Sequence, residues 1–246
     1  MTALAALTER SLLAAARDGG LMFEIFSPVG YLVGFSVALH GLVDTGRVSY
    51  SQYLVPAVAI QAVVFVAMLT ADRAARDHIH GMGERLRTLP IAAAVPVTAR
   101  IVATMVRAAL ALAVAIAAGY AFGFRIIGGL AYALAFVAIA LLLGLAVALA
   151  ADALGSSTSS PQGTSHVLFV PQLLLFMLST GIAPESTFPA WLRPYVRNQP
   201  LSVVAETLRG LGSGDVALGN LAASLAWCGG MVLAFGAITL RLQRRT

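Results

Sequence analysis

Residues 127–151 contain no charged side chain at all. As a helix rising about 1.5 Å per residue, such a stretch is about 37 Å long, enough to cross a hydrocarbon core about 30 Å thick. Comparable apolar runs lie at about residues 21–43, 50–71, 97–122, 167–182 and 216–240, the first interrupted by Glu24, Pro28 and His40 and the fifth short. The chain has 246 residues, 59% of them apolar and 11% charged, against roughly 25% charged in a soluble domain. Six crossings of about 20 residues use about half of such a chain. The expectation is therefore an all-α membrane protein with six transmembrane helices, one transmembrane domain over residues 1–246, and no room for a second, soluble domain.

The few charges set the orientation. All 16 basic residues are arginine. With an even number of crossings both termini share one side. If that side is cytoplasmic, it receives Arg10, Arg17, Arg73, Arg76, Arg85, Arg87, Arg100, Arg241, Arg244 and Arg245. The other side receives Arg47, Arg125, Arg193, Arg197 and Arg209, and Arg107 falls within a span. The excess of loop arginines inside favours cytoplasmic termini. The same scattering argues against nucleic acid as a partner, despite a net charge of +5. Glu9, Arg10, Arg17 and Asp18 interrupt the first apolar pattern, so a cleavable signal peptide is not expected. Residues 2–17 read instead as a helix lying in the membrane interface, with Leu4, Leu7, Ser11 and Leu12 near one face. The single cysteine, Cys228, excludes a disulfide framework and a thiolate metal cluster.

Several segments carry candidate chemistry. In residues 72–90, Asp72 with Arg76 and Arg73 with Asp77 stand four apart and support a helix leaving the second span. Gly81 and Gly83 break it before Pro90. This loop can dock a soluble partner or can be a solvated loop that satisfies the charge rule, and the residues do not decide between the two. His78 and His80 point to different helix faces and lack further ligands, which reads as two interfacial histidines and no metal site. Gln61, Phe65 and Met68 form one helix face, and Phe169, Gln172 and Phe176 another. Such faces suit an amphiphilic ligand along a substrate path, and ordinary helix packing explains them equally well. Residues 152–165 read as a small polar linker. In the outer segment Phe188, Trp191 and Tyr195, spaced three and four apart, can share a helical face at the interface, while four prolines divide residues 183–215 into pieces compatible with a shallow re-entrant hairpin. Arg107 and Glu24 are costly in lipid; Arg107 can snorkel or pair with Asp152. No phosphate-binding loop, H-E-x-x-H or G-x-S-x-G motif is present, so the chain is read as no enzyme.

Two stretches carry a family resemblance: GERLRTLPIAAAVPVTARI at 83–101 and STGIAPESTFPAWLRPYVRNQPLSVVAETLRGL at 179–211. They resemble the ABC type-2 exporter permease family, with Gln199 before Pro200 where many members have asparagine. SQYLVPAVAIQAVVFVA at 51–67 adds a likeness to the daunorubicin/doxorubicin-resistance (Drr) permeases of actinobacteria, the B subunit above all.

The resemblance implies an ATP-driven exporter of hydrophobic or amphiphilic compounds, anthracycline-like drugs or complex cell-envelope lipids, in the bacterial inner membrane. It implies an interfacial elbow helix over residues 1–20, a coupling loop over 72–96 and a re-entrant outer lid over 184–210 that includes Phe188, Trp191 and Tyr195. Arg76, Asp77, Glu84, Arg85, Leu86, Arg87 and Leu89 would contact an ABC ATPase. Two ATPase copies would hold ATP and magnesium, with no cofactor on this chain. A second permease, a diverged paralogue or otherwise the chain itself, and membrane lipids complete the expected partners. The alternative reading is a proton-coupled secondary multidrug transporter, with Glu24 as its only candidate acid.

Overall fold

The computed structural model describes residues 3–17, 20–39, 49–79, 92, 94–158 and 161–245, without the side chains of 38–39, 161–167 and 243–245. Among these the secondary structure is helical throughout, with no strand. Helix α1 spans Ala3–Arg17, α2 Gly20–Leu39, α3 Tyr50–Ile79, α4 Val95–Ala121, α5 Leu130–Ser156 and α6 Pro161–Met177. A short 3₁₀ turn at Glu185–Thr187 precedes α7 (Arg193–Asn198), α8 (Pro200–Ser213) and α9 (Leu218–Arg245).

Five of these helices, α2, α3, α4, α5 and α9, are long and apolar enough to cross a membrane. The expected fifth span is a shorter apolar helix, α6, which stops at Met177 and gives way to turns. The polar linker expected at 152–165 is largely helical: α5 continues to Ser156 and α6 begins at Pro161. The second span extends beyond its apolar stretch to Ile79, carrying Asp72, Arg73, Arg76 and Asp77 out on the same helix.

The centre of the bundle is α3. Within its most apolar stretch 89% of the residues are buried inside the chain, against 17% in α2 and 11% in α9. It packs against α2, α4, α5, α6 and α8. Apolar side chains gain little by leaving lipid for protein, so close backbone approach and polar contacts must hold such helices together. Glycines on α5 supply the approach. A Cβ at Gly144 would stand 3.3 Å from the Val63 side chain, and one at Gly155 would overlap the Ala71 carbonyl. The two contacts advance together along α3 and α5, which therefore run parallel.

The helix ends gather at two poles. At one, the loop after α4 is pinned by Gln52 at the start of α3. Its amide donates to the Arg125 carbonyl at 2.7 Å and accepts from the Arg125 amide at 3.0 Å. Ile127 N–H donates to the carbonyl of Gly212 near the end of α8 at 2.9 Å. At the other pole lie the start of α2, the end of α3, the start of α4 and the ends of α5 and α9, the last two joined by Thr239 donating to the Leu149 carbonyl. Helix α1 packs outside the bundle against α4 and α2, with Leu7, Thr8, Ser11, Leu12 and Ala15 as its less exposed face.

A methyl group at Gly155 must push the α3 backbone away. Gly155→Ala is expected to cost about 1–3 kcal/mol, seen as a lower unfolding temperature in detergent. Gly229→Ala on α9, where a new Cβ meets nothing within 4 Å, is expected to leave that temperature unchanged or raise it.

Candidate transport pathway and its polar anchors

The pole that collects the end of α3 carries two ionic clusters, one buried and one partly exposed. In the first, Glu24 of α2 sits between two arginines. Arg107 Nη1 of α4 donates to its two carboxylate oxygens at 2.6 and 2.7 Å, and Arg73 Nη2 of α3 donates at 3.1 Å. Glu24 and Arg107 are each 1% exposed. Arg107 Nη2 also donates to the Thr104 hydroxyl at 3.2 Å, which is 2.8 Å from the Thr70 hydroxyl. In the second cluster Arg100 of α4 bridges two acids. Its Nε donates to Asp152 of α5 at 2.8 Å and its Nη1 to Asp77 of α3 at 3.0 Å. Isolated charges are costly in an apolar medium, and mutual pairing is what makes these tolerable.

This arrangement corrects the expected pairing of Arg107 with Asp152. Arg107 lies two helical turns, about 10.5 Å, deeper along α4 than Arg100. Asp152, near the end of α5, meets the nearer arginine, and the deeper one is met by Glu24. Arg73 and Asp77 likewise reach other helices: Arg73 holds α2, and Asp77 holds α4. Of the expected ATPase-coupling residues, Arg76 and Asp77 close α3, and Arg76 Nε donates to the Asp72 carbonyl at 3.4 Å. Glu84, Arg85, Leu86, Arg87 and Leu89 lie outside the described residues.

Five of the six side chains expected along a substrate path face the bundle. Gln172 Nε2 of α6 donates to Gln61 Oε1 of α3 at 3.4 Å, both side chains being buried. Phe176 and Met68 are buried nearby in sequence, and the Phe35 ring approaches Phe176 at 6.4 Å between centroids. Phe65 meets Phe23 of α2 edge-on at 5.6 Å. Phe169 is 47% exposed and does not share the buried face. The two amides thus tie α3 to α6, and rings of α2 flank them.

The opposite pole is held by side chains that the sequence reading passed over. Arg209 of α8 lies over the Tyr53 ring of α3, 3.6 Å from its centroid, where a planar guanidinium stacks well. The same arginine donates to the carbonyls of Tyr53 at 3.2 Å, Thr180 at 2.5 Å and Gly181 at 3.0 Å, and pairs with Glu206 at 2.8 Å. Tyr53 donates its hydroxyl to Thr180 O at 2.6 Å. Gln199 Nε2 donates to the carbonyls of Leu175 at 3.1 Å and Leu178 at 2.6 Å. These donors satisfy carbonyls freed where α6 ends. Gln199 therefore caps the end of α6. Phe188, Trp191 and Tyr195 do not share one helix: Phe188 is extended after the 3₁₀ turn, Trp191 lies in a turn, and only Tyr195 is in α7. Trp191 and Tyr195 are exposed.

A helical chain with five helices of membrane-crossing length, charges paired at one pole and a capped helix end at the other has the architecture of a multi-pass membrane protein. The signature of the family described as "ABC-2 family transporter protein" matches residues 35–241, and the chain belongs to that family. It is similar to the doxorubicin resistance ABC transporter permease protein DrrB of Mycobacterium tuberculosis, 30% identical over 218 residues, which cover 85% of this chain and 74% of the relative. It is also similar to the probable doxorubicin resistance ABC transporter permease protein DrrC of the same organism, 28% identical over 230 residues covering 91% and 82%. A third relative is the daunorubicin resistance ABC transporter permease protein DrrB1 of Streptomyces coeruleorubidus, 29% identical over 223 residues covering 89% and 78%. The chain is accordingly the membrane permease subunit of an ABC transporter and not itself an ATPase, and the family implies a separate ABC ATPase as partner.

Removing Glu24 alone leaves Arg107 buried without its carboxylate. Glu24→Leu is expected to cost about 3–5 kcal/mol, whereas Glu24→Leu combined with Arg107→Met recovers most of that loss. A double-mutant cycle of unfolding temperatures in detergent measures the difference.

Proposed function

We propose that the chain is the membrane half of an exporter that moves hydrophobic or amphiphilic compounds, anthracycline-like drugs or complex cell-envelope lipids, out of the cell. The relatives' resistance to doxorubicin and daunorubicin supports the drug class. Six crossings follow if α6 and the turns after it serve as the fifth, and the alternation of helix ends between the two poles supports that count. The chain then lies in the bacterial inner membrane with both termini cytoplasmic and the ionic pole facing the cytoplasm, a placement that the excess of arginine favours. Residues 1–20 act as an interfacial elbow, 72–96 as the coupling loop and 184–210 as a re-entrant outer lid bearing Phe188, Trp191 and Tyr195. The partners are two copies of the ATPase, which hold ATP and magnesium, and a second permease, a diverged paralogue or this chain itself.

The observation that carries the mechanism is the extension of α3 beyond its apolar stretch into the ionic pole. Binding of ATP closes the ATPases and moves the loop after α3. Through Arg73–Glu24 and Asp77–Arg100 that motion is shared by α2 and α4, and through Asp152 by α5. Displacing these helices around Gln61, Phe65, Met68, Gln172 and Phe176, with Phe169 at the outer surface, changes which side of the membrane the path opens to. ATP drives export because its binding favours one permease state and its hydrolysis another. The proton-coupled alternative loses its candidate acid, since Glu24 is engaged by two guanidinium groups.

Glu84→Arg reverses a charge on the coupling loop. The variant is expected to insert normally and to retain its helical content, while efflux of daunorubicin from inverted vesicles falls about tenfold, within the range of site-to-site couplings. Efflux and drug-stimulated ATP hydrolysis equal to wild type would remove the coupling assignment. Efflux abolished by proton-gradient collapse but not by ATP depletion would restore the secondary-transporter reading.

A further inference from the structure

Helices α3 and α6 run antiparallel, since Gln61 meets Gln172 while Tyr53, earlier in α3, meets Thr180 just beyond α6. Phe65 stands one turn after Gln61 and Phe176 one turn after Gln172. The amide pair therefore has a phenyl ring about 6 Å away along the helix axes in each direction. Each ring meets another from α2: Phe65 meets Phe23 and Phe176 meets Phe35. Helices α2 and α6 both pack on α3 but scarcely on each other. The face of α3 that carries Gln61 and Phe65 thus runs along a loosely closed seam between them.

The amide pair is weak as a tie between helices. Its hydrogen bond is 3.4 Å long, against about 2.9–3.0 Å for an ordinary N–H···O bond. Gln199, which does hold a helix end, bonds carbonyls at 2.6 and 3.1 Å from one nitrogen. A carboxamide has two N–H donors and an acceptor oxygen, so among the described residues Gln61 Nε2 and Gln172 Oε1 remain without a partner. Both side chains keep some access, at 5% and 7% exposure, and neither free atom belongs to the polar atoms that are sealed and unpartnered. A reachable donor and a reachable acceptor therefore stand side by side between aromatic rings. Turning both carboxamides over exchanges the two roles and leaves the same set.

We propose that Gln61 and Gln172 are the specificity-determining residues of the export path, Gln61 Nε2 donating to a carbonyl oxygen and Gln172 Oε1 accepting from a hydroxyl of the transported compound. The rings on either side cover its apolar ends. Both amides are neutral, which suits carbonyl and hydroxyl groups and offers a phosphate no counter-charge. A compound that carries neither group separates the amides without replacing their bond, and such a site disfavours it because buried polar atoms are left unmet. This assignment rests on the export reading and goes beyond it, since it says which compounds of equal size and apolarity are preferred.

The test is ATP-driven uptake of daunorubicin, which bears carbonyls and hydroxyls, into inverted vesicles holding the permease–ATPase complex, with 2-hydroxyanthraquinone or anthracene as competitor. For the wild type, 2-hydroxyanthraquinone is expected to compete at about tenfold lower concentration than anthracene. Gln61→Met and Gln172→Met keep an unbranched side chain and remove the amide. Each is expected to raise the KM for daunorubicin about tenfold with kcat retained, and to make the two competitors equal. The wild-type comparison stands even if neither variant folds. Wild-type uptake that does not distinguish the competitors would overturn the assignment alone. So would assembled variants that lose kcat at an unchanged KM, the result expected if the amides only hold α3 to α6. A wild-type complex with no ATP-driven uptake would overturn the export reading, and this assignment with it.

Discussion

A carboxylate held between two guanidinium groups inside a bundle of apolar helices is the interaction on which the rest of this structure depends. Helix α2 buries little of its own surface, and lipid is as good a solvent for its leucines and phenylalanines as protein is. Apolar packing therefore does little to fix its depth or rotation. Glu24 does fix them, because any rotation that broke its contact with Arg107 would leave two fully buried charges unpaired in an apolar medium. The arrangement acts through the penalty of being broken more than through the energy of being made. Its natural use is register: α2, α3 and α4 are held at one relative height, which is the condition for a force applied to one of them to be felt by the others.

The helices themselves were legible in the sequence because a bilayer of fixed thickness imposes a length, and uncharged runs of that length have few other uses. The partners of the charges were not. Arg107 and Glu24 both stand out as anomalies in the sequence, yet they lie 83 positions apart. Which acid meets which arginine depends on the depth of each along its own helix, and Glu24 stands in the first turns of α2. Asp152 is nearer to Arg107 in sequence than Glu24 is, yet it pairs with Arg100. The same limit applies at the opposite pole. Arg209 reads as one more outer arginine until the fold brings Tyr53, Thr180 and Gly181 to it. A signal was available in the quoted family stretch, where Arg209 follows Gln199–Pro200 on one amphipathic helix, but nothing local named its acceptors. The spacing of Phe188, Trp191 and Tyr195 suggested a helix that the prolines do not permit.

Both polar anchors are built on the same helix. Tyr53, near the start of α3, receives Arg209 and bonds the end of α6; Arg73 and Asp77, near its finish, bind α2 and α4. Between them lies the apolar length of α3, closely packed at Val63 and Ala71 against glycines of the parallel helix α5. A helix so packed transmits displacement along its axis instead of absorbing it, since close-packed interfaces shift between discrete arrangements more readily than they deform. The proposed coupling to a separate ATPase draws on this property of α3. One helix thus joins the charged cluster at one end to the carbonyls of Thr180 and of the end of α6 at the other. The two ends are then not separate sites with separate roles. The side chains of Gln61, Phe65 and Met68 lie between them on that helix, so whatever occupies their face is placed where movement of α3 has to be felt.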